Sequence, residues 1–393
     1  MTVRHSRAEL AAPVLLEGMT APGSATEAAE YSAVPETPRH SAPIGARDVL
    51  GWTRKNLFSS VGNSILTVLV LALLWLIVPP FFRWAVSDAT ISGVSKAACG
   101  GEGACWTFIR IRLPLFFYGH YPPAERWRVN LAFVLLALFA WPVMREHVRR
   151  RGLWVVLLLT LFPLLAGVLL AGGVFGLPAV DSNLWGGLML NVVISFVTVA
   201  GSFPLGVLLA IGRRSVLPVV RLLSVGFIEL WRGVPLLTVL FMSAVMLPLF
   251  LPDGVSIDRL VRAMVVLVLF NAAYMAEVVR GGLQGVAVEQ EEAACSLGLR
   301  WWQMQAFVVL PQALRYVVPA IVNTVVDLFK DTTLVTIVGL FDLLGAVNQA
   351  LKDPAWLGFA KEGYVFSAAV FFVCCFAMSA YGRSFECRLN RHR

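Results

Sequence analysis

The sequence predicts an all-α integral membrane protein of about eight transmembrane helices, and three observations carry that reading. Hydrophobic residues fill 58% of the 393 positions, while Asp, Glu, Lys and Arg together fill 14%, well below the share a water-soluble domain uses to cover its surface. Mostly apolar runs of the length that a bilayer core of about 30 Å demands, roughly 20 residues, recur along the chain. Runs such as Ser64 to Phe82 are apolar on every helical face, whereas a soluble helix keeps one polar face.

The candidate spans fall near residues 61–82, 129–145, 153–173, 187–212, 233–252, 260–281, 316–341 and 364–382, the second being the shortest. Residues 1–50 precede them as a tail rich in Ala, Pro, Ser, Thr and Glu without apolar periodicity, a composition that buries too little surface to fold. So long a polar stretch before the first apolar run does not read as a cleavable signal peptide, and the first span is expected to act as an anchor. The tail, at residues 1–50, is expected on the cytoplasmic side.

Basic residues set the orientation. Arg54, Lys55, Arg145, Arg149, Arg150, Arg151, Arg213, Arg214, Arg300, Arg315, Arg383, Arg388, Arg391 and Arg393 all fall on one side of an eight-span path. The positive-inside rule makes that side cytoplasmic, with both termini inside. The basic residues sit at span ends without interleaved aromatic stacking partners, so the net charge of +8 is topological and argues against nucleic acid. One segment runs against the pattern: residues 83–128, expected outside, carry Arg83, Lys96, Arg110, Arg112, Arg126 and Arg128, and longer loops obey the rule less strictly.

Pro114, Pro122 and Pro123 in that external segment favour irregular or extended backbone. Cys99 and Cys105 lie there too, separated by a glycine-rich stretch in an oxidising compartment. A disulfide between them is possible, and spacing leaves the bonded and free forms open. Cys374 and Cys375, inside an apolar run, read as packing residues. None of the cysteines has metal-ligand spacing.

Residues 51–185 thus form an accessory part of three helices with the external loop 83–128, and residues 186–386 a five-helix core, followed by a short basic tail at 387–393. Within the core, Arg221, Glu229 and Arg232 interrupt the apolar pattern between Leu217 and Gly233, so this stretch is expected along the cytoplasmic interface.

The connection from Gly281 to Pro311 is long for a link between two helices. It holds Glu291 and Glu292, which favour a helix N-terminal region, then Ala293 and Ala294, which permit close approach by another surface. Gly298 can end a helix in the left-handed conformation. Leu297, Leu299, Trp301 and Trp302 supply apolar anchors of the kind found at interface centres. The reading is a short helix, a turn and a second helix offered to a cytoplasmic partner, or alternatively a hairpin packed on its own domain.

Here the sequence resembles the permeases of bacterial ABC importers. Their loop pattern is Glu-Ala-Ala, three residues, Gly, nine residues, Ile, one residue, Leu-Pro. This chain matches it with Glu292, Ala293, Ala294, Gly298, Leu310 and Pro311, and departs only at Val308. Ala287 and Glu289 stand where similar proteins usually have Pro and Gly. The resemblance narrows to the polar amino-acid uptake family through Glu229 to Pro235, Ala272 to Gly281 and Lys330 to Leu334. Gly103 to Trp106, Tyr118-Gly119 and Tyr121-Pro122 are similar to the general L-amino-acid permease subunit that carries a Cys-containing external loop.

The resemblance implies a type I ABC importer permease fold for residues 186–386 and docking of the loop, as a coupling helix, on a separate cytoplasmic ABC ATPase. It implies a second homologous permease subunit, with a homodimer left open, a periplasmic amino-acid-binding protein, and a multi-pass place in the bacterial inner membrane. ATP and Mg would belong to the ATPase. No cofactor or metal is expected in this chain, and no phosphate-binding GxxxxGK[ST] loop or catalytic constellation marks it as an enzyme.

Ionisable groups at membrane depth are costly unless paired or facing water. Asp327, Lys330 and Asp331 share a helical face, where Lys330 can pair with either carboxylate. Glu229 with Arg232 and Glu277 with Arg280 repeat the motif at cytoplasmic ends. All seven are candidates for the translocation path or its gating, against the alternative of structural ion pairs. Asn271 and Asn323 read as bonds to neighbouring helices. The rival function is an ion-coupled secondary amino-acid transporter, which calls for two related halves with broken helices. No second half resembles the core, and that rival leaves the Glu-Ala-Ala loop unexplained.

Overall fold

A computed structural model describes residues 46–391 except 146, 147, 149 and 253. The sequence-predicted tail up to residue 45, Arg149 and Arg393 lie outside the described residues. The chain divides into two compact units at Pro79 and Pro80. In the first, helix α1 (Ala46–Asn56) precedes the start of α2 (Val61–Phe82), which has no buried residue. Thr67 Oγ1 donates to Leu57 O at 2.8 Å, and Asn63 Nδ2 to Ser59 Oγ at 2.7 Å, fixing the turn between them. The adjacent prolines remove two donors from the helix ladder where the division falls.

The second unit contains α3 (Trp106–Tyr118), α4 (Arg126–Met144), α5 (Arg151–Ala171), α6 (Gly187–Arg213) and α7 (Pro218–Gly233). Helix α8 (Leu236–Phe241) continues through wider and tighter turns to Phe250, and α9 spans Arg259–Gln284. After α10 (Val288–Ser296), α11 (Trp301–Met304) runs through a wide turn into α12 (Leu310–Asp331), extended by a 3-10 turn to Val338. Helices α13 (Leu343–Leu351) and α14 (Ala360–Arg391) close the fold. Among the described residues seven helices are long and apolar enough to cross a membrane, or eight when α7 and the α8 segment, bent 97° to each other, count as one broken span.

Four expectations are corrected. Pro114 lies inside α3: its helix is held by Phe108 and Phe116, both fully buried, against Trp356, Phe359 and Phe366, so tertiary packing overrides local preference. The seventh span begins near Trp301, about 15 residues before the apolar run, because Met304, Gln305 and Val309 already have core to bury against. The last helix continues to Arg391, through most of the expected tail. Neither asparagine is seen bridging helices: Asn271 Nδ2 donates to Leu267 O of its own helix at 2.9 Å, and Asn323 is exposed.

Helices α6 and α9 form the centre. Ser202, Gly206 and Ala210, one turn apart on α6, are all buried, the small-residue spacing that lets membrane helices approach closely. A Cβ at Gly206 would stand 2.6 Å from Met275 Cβ. Phe162 of α5 meets Phe196 of α6 edge-on at 4.8 Å. At the end of the bundle where α4 starts, Arg128 is fully buried, paired with Glu125 at 2.7 Å and donating to Pro178 O at 2.9 Å. Beside it Tyr121 donates to Leu170 O at 2.9 Å, and burial raises the pKa of its phenol.

The same end carries a buried polar knot. Asn191 Nδ2 donates to Thr332 Oγ1 at 2.8 Å and Asp342 Oδ2 at 3.1 Å, while its Oδ1 accepts from Leu343 N at 2.9 Å. Asp342 also accepts from Thr336 Oγ1 at 2.6 Å and Gly345 N at 2.9 Å, capping α13. Burial raises the pKa of this carboxyl, and the hydrogen bonds from Thr336, Gly345 and Asn191 partly offset that. Gly187, at φ +63°, passes close to Phe116 O and donates to Phe341 O at 2.8 Å.

Gly206→Val is expected to lower stability by about 1–3 kcal/mol through overpacking, read from thermal unfolding in detergent. Gly226→Ala on α7, where nothing stands within 4 Å of an added Cβ, is expected to be neutral or mildly stabilising. Equal losses for the two would show that the α6–α9 contact does not limit stability.

Candidate functional site

The Glu-Ala-Ala segment is helix α10, with Glu289 and Glu291 in its first turn, where carboxylates favour the helix dipole. Its end is built by Gly298. Leu299 N donates to Ala294 O at 3.2 Å and Gly298 N to Cys295 O at 2.9 Å, with Gly298 at φ +74°, the paired bonds of a Schellman ending. Arg300 N then donates to Gln303 Oε1 at 2.9 Å as α11 begins.

The helix is two-faced. Ala294 is 2% exposed and packs with Ala276, Val279, Met304 and Val309 of the chain's own core, so it supports the helix from beneath. Glu292, Ala293 and Gly298 are exposed. So are Leu297, Trp301, Trp302 and Phe307 alongside. Leu310 packs against the same core at the start of α12, and Pro311 is exposed where its missing N–H is harmless.

Glu291 Oε1 receives Arg214 Nη2 at 2.9 Å, tying α10 to the end of α6. One residue earlier, Arg213 enters a charge cluster. Its Nη1 lies 2.6 Å from Glu277 Oε1 and 3.3 Å from Glu229 Oε1. Arg280 Nη2 lies 2.8 Å from Glu277 Oε2, and Arg232 Nη1 3.9 Å from the same oxygen. The Arg232 guanidinium also sits over the Tyr274 ring at 5.7 Å.

Four sequence-predicted residues thus meet in one cluster, with two changes. Glu229 and Arg232 turn away from each other to partners on α6 and α9, because those partners lie inside the bundle. The sequence marks Arg213 only as an orientation signal, because an arginine at a span end carries no mark of a partner 64 positions away.

The third charged group lies at the far end of α12. Lys330 Nζ meets Asp327 Oδ1 at 3.1 Å with both side chains largely exposed. Asp327 and Asp331 line a cavity of about 310 Å³ with Asn271, Tyr274 and Thr324, so polar groups of α9 and α12 face a common space next to α8. Cys99 and Cys105 are joined by a disulfide, with Cα atoms 5.6 Å apart, in the segment before α3. Among the described residues no group of His, Cys, Asp and Glu has the arrangement of a metal site.

A bundle of membrane-length helices, a half-exposed helix at one end and a polar cavity between spans define a helical membrane transport protein. Residues 202–391 match the binding-protein-dependent transport system inner membrane component family. The chain is 50% identical over 356 residues to the inner membrane amino-acid ABC transporter permease protein YhdY of Escherichia coli, covering 91% of this chain and 97% of that protein. It is 37% identical over 421 residues to the glutamate/glutamine/aspartate/asparagine transport system permease protein BztC of Rhodobacter capsulatus, covering 90% and 96%. A crystal structure of an amino acid ABC transporter with histidines matches at 28% identity and a TM-score of 0.46, covering 51% of this chain and 92% of that chain. The chain belongs to the binding-protein-dependent transport system inner membrane components, and is a multi-pass inner-membrane permease rather than a catalytic enzyme.

Glu277 is 16% exposed and holds the cluster together. Glu277→Gln is expected to cost about 1–3 kcal/mol, since it removes the negative charge and one of the two oxygens that the guanidinium groups share. Glu229→Gln, at a site 57% exposed, is expected to cost under about 1 kcal/mol. Chemical unfolding in detergent measures both, and an equal cost at the two sites would contradict the central place given to Glu277.

Proposed function

We propose that this chain is the transmembrane permease subunit of an ATP-binding-cassette importer that moves L-amino acids across the bacterial inner membrane. The observation that carries the reading is α10: a short helix packed from beneath through Ala294, with Glu292, Ala293 and Gly298 outward and an apolar fringe of Leu297, Trp301 and Trp302. A protein presents such a face, uncovered and rimmed by charge, to a partner. The partner is a cytoplasmic ABC ATPase, which supplies the ATP and Mg2+ chemistry. A second, homologous permease completes the path, and a periplasmic binding protein delivers the substrate. The amino-acid substrate rests on the two relatives' names and on Glu229 to Pro235, Ala272 to Gly281 and Lys330 to Leu334.

In this reading the end with α10 is cytoplasmic, as are both termini. Displacement of α10 by the ATPase reaches α6 through Glu291 and Arg214, and α9 and α7 through Arg213, Glu277 and Glu229. The cavity of Asp327, Asp331 and Asn271 lies on the translocation path, where its carboxylates and amide oxygen accept from a substrate ammonium. Lys330 balances one carboxylate from the rim. Gating falls to Glu277 and its arginines, because any rotation of α7 against α9 must exchange those ion pairs.

Gly298→Val tests the docking helix. Its φ of +74° is closed to a β-branched residue, while open space around the position leaves the rest of the fold untouched. Tagged native chain solubilised in mild detergent is expected to bring an ATPase and a second permease with it. The variant is expected to retain the permease, lose the ATPase and lose ATP-dependent amino-acid uptake. Native chain recovered alone, with uptake intact, would overturn the reading in favour of an ion-coupled transporter.

A further inference from the structure

An apolar cleft of about 450 Å³ lies between α4, α5, α6 and α9, and shares no residue with the coupling cluster or the Asp327 cavity. Helix α6 lines it from Met189 to Val197, α9 from Leu260 to Met264, α4 from Val129 to Leu136 and α5 from Phe162 to Ala171. Each helix thus contributes the half of its length that lies away from α10. Phe162 and Phe196, edge-on at 4.8 Å, form the deep end. Sideways the α5 wall has a gap. Gly167 is exposed, with nothing within 4 Å of an added Cβ, and shares its helical face with the exposed Leu164 and Val168, the face that a membrane span turns to hydrocarbon.

What can fill such a space follows from its walls and its length. Buried water needs several polar partners, and the polar side chains of the lining, Asp181, Ser182, Trp185 and Asp258, all stand at the outer end. At about 1.5 Å per residue the α6 wall is about 12 Å long. One leaflet's hydrocarbon is about 15 Å deep, half of a bilayer core of about 30 Å. The mouth is acidic: Asp181 and Asp258 line it, and among the described residues no Lys, Arg or His does. Asp258 caps α9 by accepting from Leu260 N at 2.7 Å, and also accepts from Ser182 Oγ. Asp181 Oδ1 accepts from Asn183 N at 2.9 Å, and its other oxygen has no protein donor among the described residues. Arg259, next in the chain, is turned to Gly339 O at 3.2 Å.

We infer that this cleft holds one acyl chain of a bilayer glycerophospholipid whose head carries a primary ammonium, the chain lying along α6 and the ammonium on Asp181 and Asp258. A shaft about one leaflet long, walled by apolar side chains, open to lipid through α5 and ending in carboxylates, matches that molecule in length, polarity and charge. A free amino acid finds no cation there for its carboxylate. A phospholipid with a net anionic head meets two like charges at the mouth. Bound lipid joins the α4–α5 hairpin to the core across a space that no side chain of the protein fills. The site depends on the chain lying in a membrane and not on its coupling to an ATPase.

The probe is a phosphatidylethanolamine with a diazirine at the end of one palmitoyl chain, added in trace to the purified full chain in phosphatidylcholine nanodiscs. Irradiation and peptide mapping are expected to find saturable label on the peptides that hold Phe162 and Phe196. Unlabelled phosphatidylethanolamine is expected to compete at least tenfold better than phosphatidylglycerol of the same chains, and Asp181→Asn to remove most of that preference. Gly167→Leu, which fills the gap without changing charge and replaces glycine by a better helix former, is expected to abolish the label. Gly152→Leu, on the same helix with equally open space but outside the cleft, is expected to keep it. In native membranes, where partner chains are present, the label is expected at the same residues. No saturable label, label that Gly167→Leu leaves unchanged, or label lost equally in both glycine variants would overturn the assignment. Its absence in native membranes alone would give the cleft to a partner helix and overturn it too. Phosphatidylglycerol competing as well as phosphatidylethanolamine, or a preference that survives Asp181→Asn intact, would overturn the ammonium reading.

Discussion

The carboxylate of Glu277 is the point on which the coupling end of this protein turns. Three arginines from three helices, Arg213, Arg232 and Arg280, approach its two oxygens. In a bilayer, burying any one of these charges alone is prohibitive, and gathering them around one acceptor is what allows α6, α7 and α9 to end side by side. The cluster is also only partly buried, which keeps its attraction moderate. Strong enough to fix a register and weak enough to exchange partners is the regime a moving junction requires.

The opposite end is fastened by a different chemistry. The knot of Asn191, Thr332, Thr336 and Asp342 uses one carboxylate and several neutral donors, with Asn191, Thr332 and Asp342 fully buried and Thr336 half-buried beside them. Neutral hydrogen bonds with fixed geometry do not slide as ion pairs between long side chains do, so α6, the end of α12 and α13 hold their register there. Between the two ends the α6–α9 contact is close and made of small residues, which resists separation but leaves room for rotation about the helix axes. The bundle is thus fastened in two ways, by hydrogen bonds of fixed geometry at one end and by ion pairs that can exchange partners at the other.

How much of this was legible in the sequence depends on the range of the interaction involved. Spans were legible because an apolar run long enough to cross a bilayer has few other fates. The Schellman ending of α10 was legible because it is local: only Gly298 and the residues before it take part. Helix α3 was not, since Pro114, Arg110 and Arg112 look like loop chemistry until Phe108 and Phe116 meet Trp356 and Phe366, more than 240 positions away. The charge cluster was half legible, its i, i+3 spacings marking Glu277 with Arg280 but giving the wrong partner to Glu229. The outward and inward sides of Glu-Ala-Ala were not separable, because a matched spacing states which residues are kept and not which way each one faces.

The break between α7 and α8 shows how a short sequence can organise the whole coupling end. Pro235 has no N–H to continue the ladder, and Val234 before it is driven to φ −112°, ψ 137°, the extended region favoured ahead of proline. The chain therefore turns by 97°, leaving α7 an amphipathic helix with Ser224 and Ile228 buried while Leu222, Leu223 and Leu230 stay exposed. Had α7 continued straight into the membrane, Glu229 and Arg232 would have entered lipid. Because it turns, they lie level with the ends of α6 and α9, within reach of Arg213 and Glu277. The proline thus does more than interrupt a span: it sets the depth at which the charges of α7 meet those of the bundle, and the cluster around Glu277 follows from that depth.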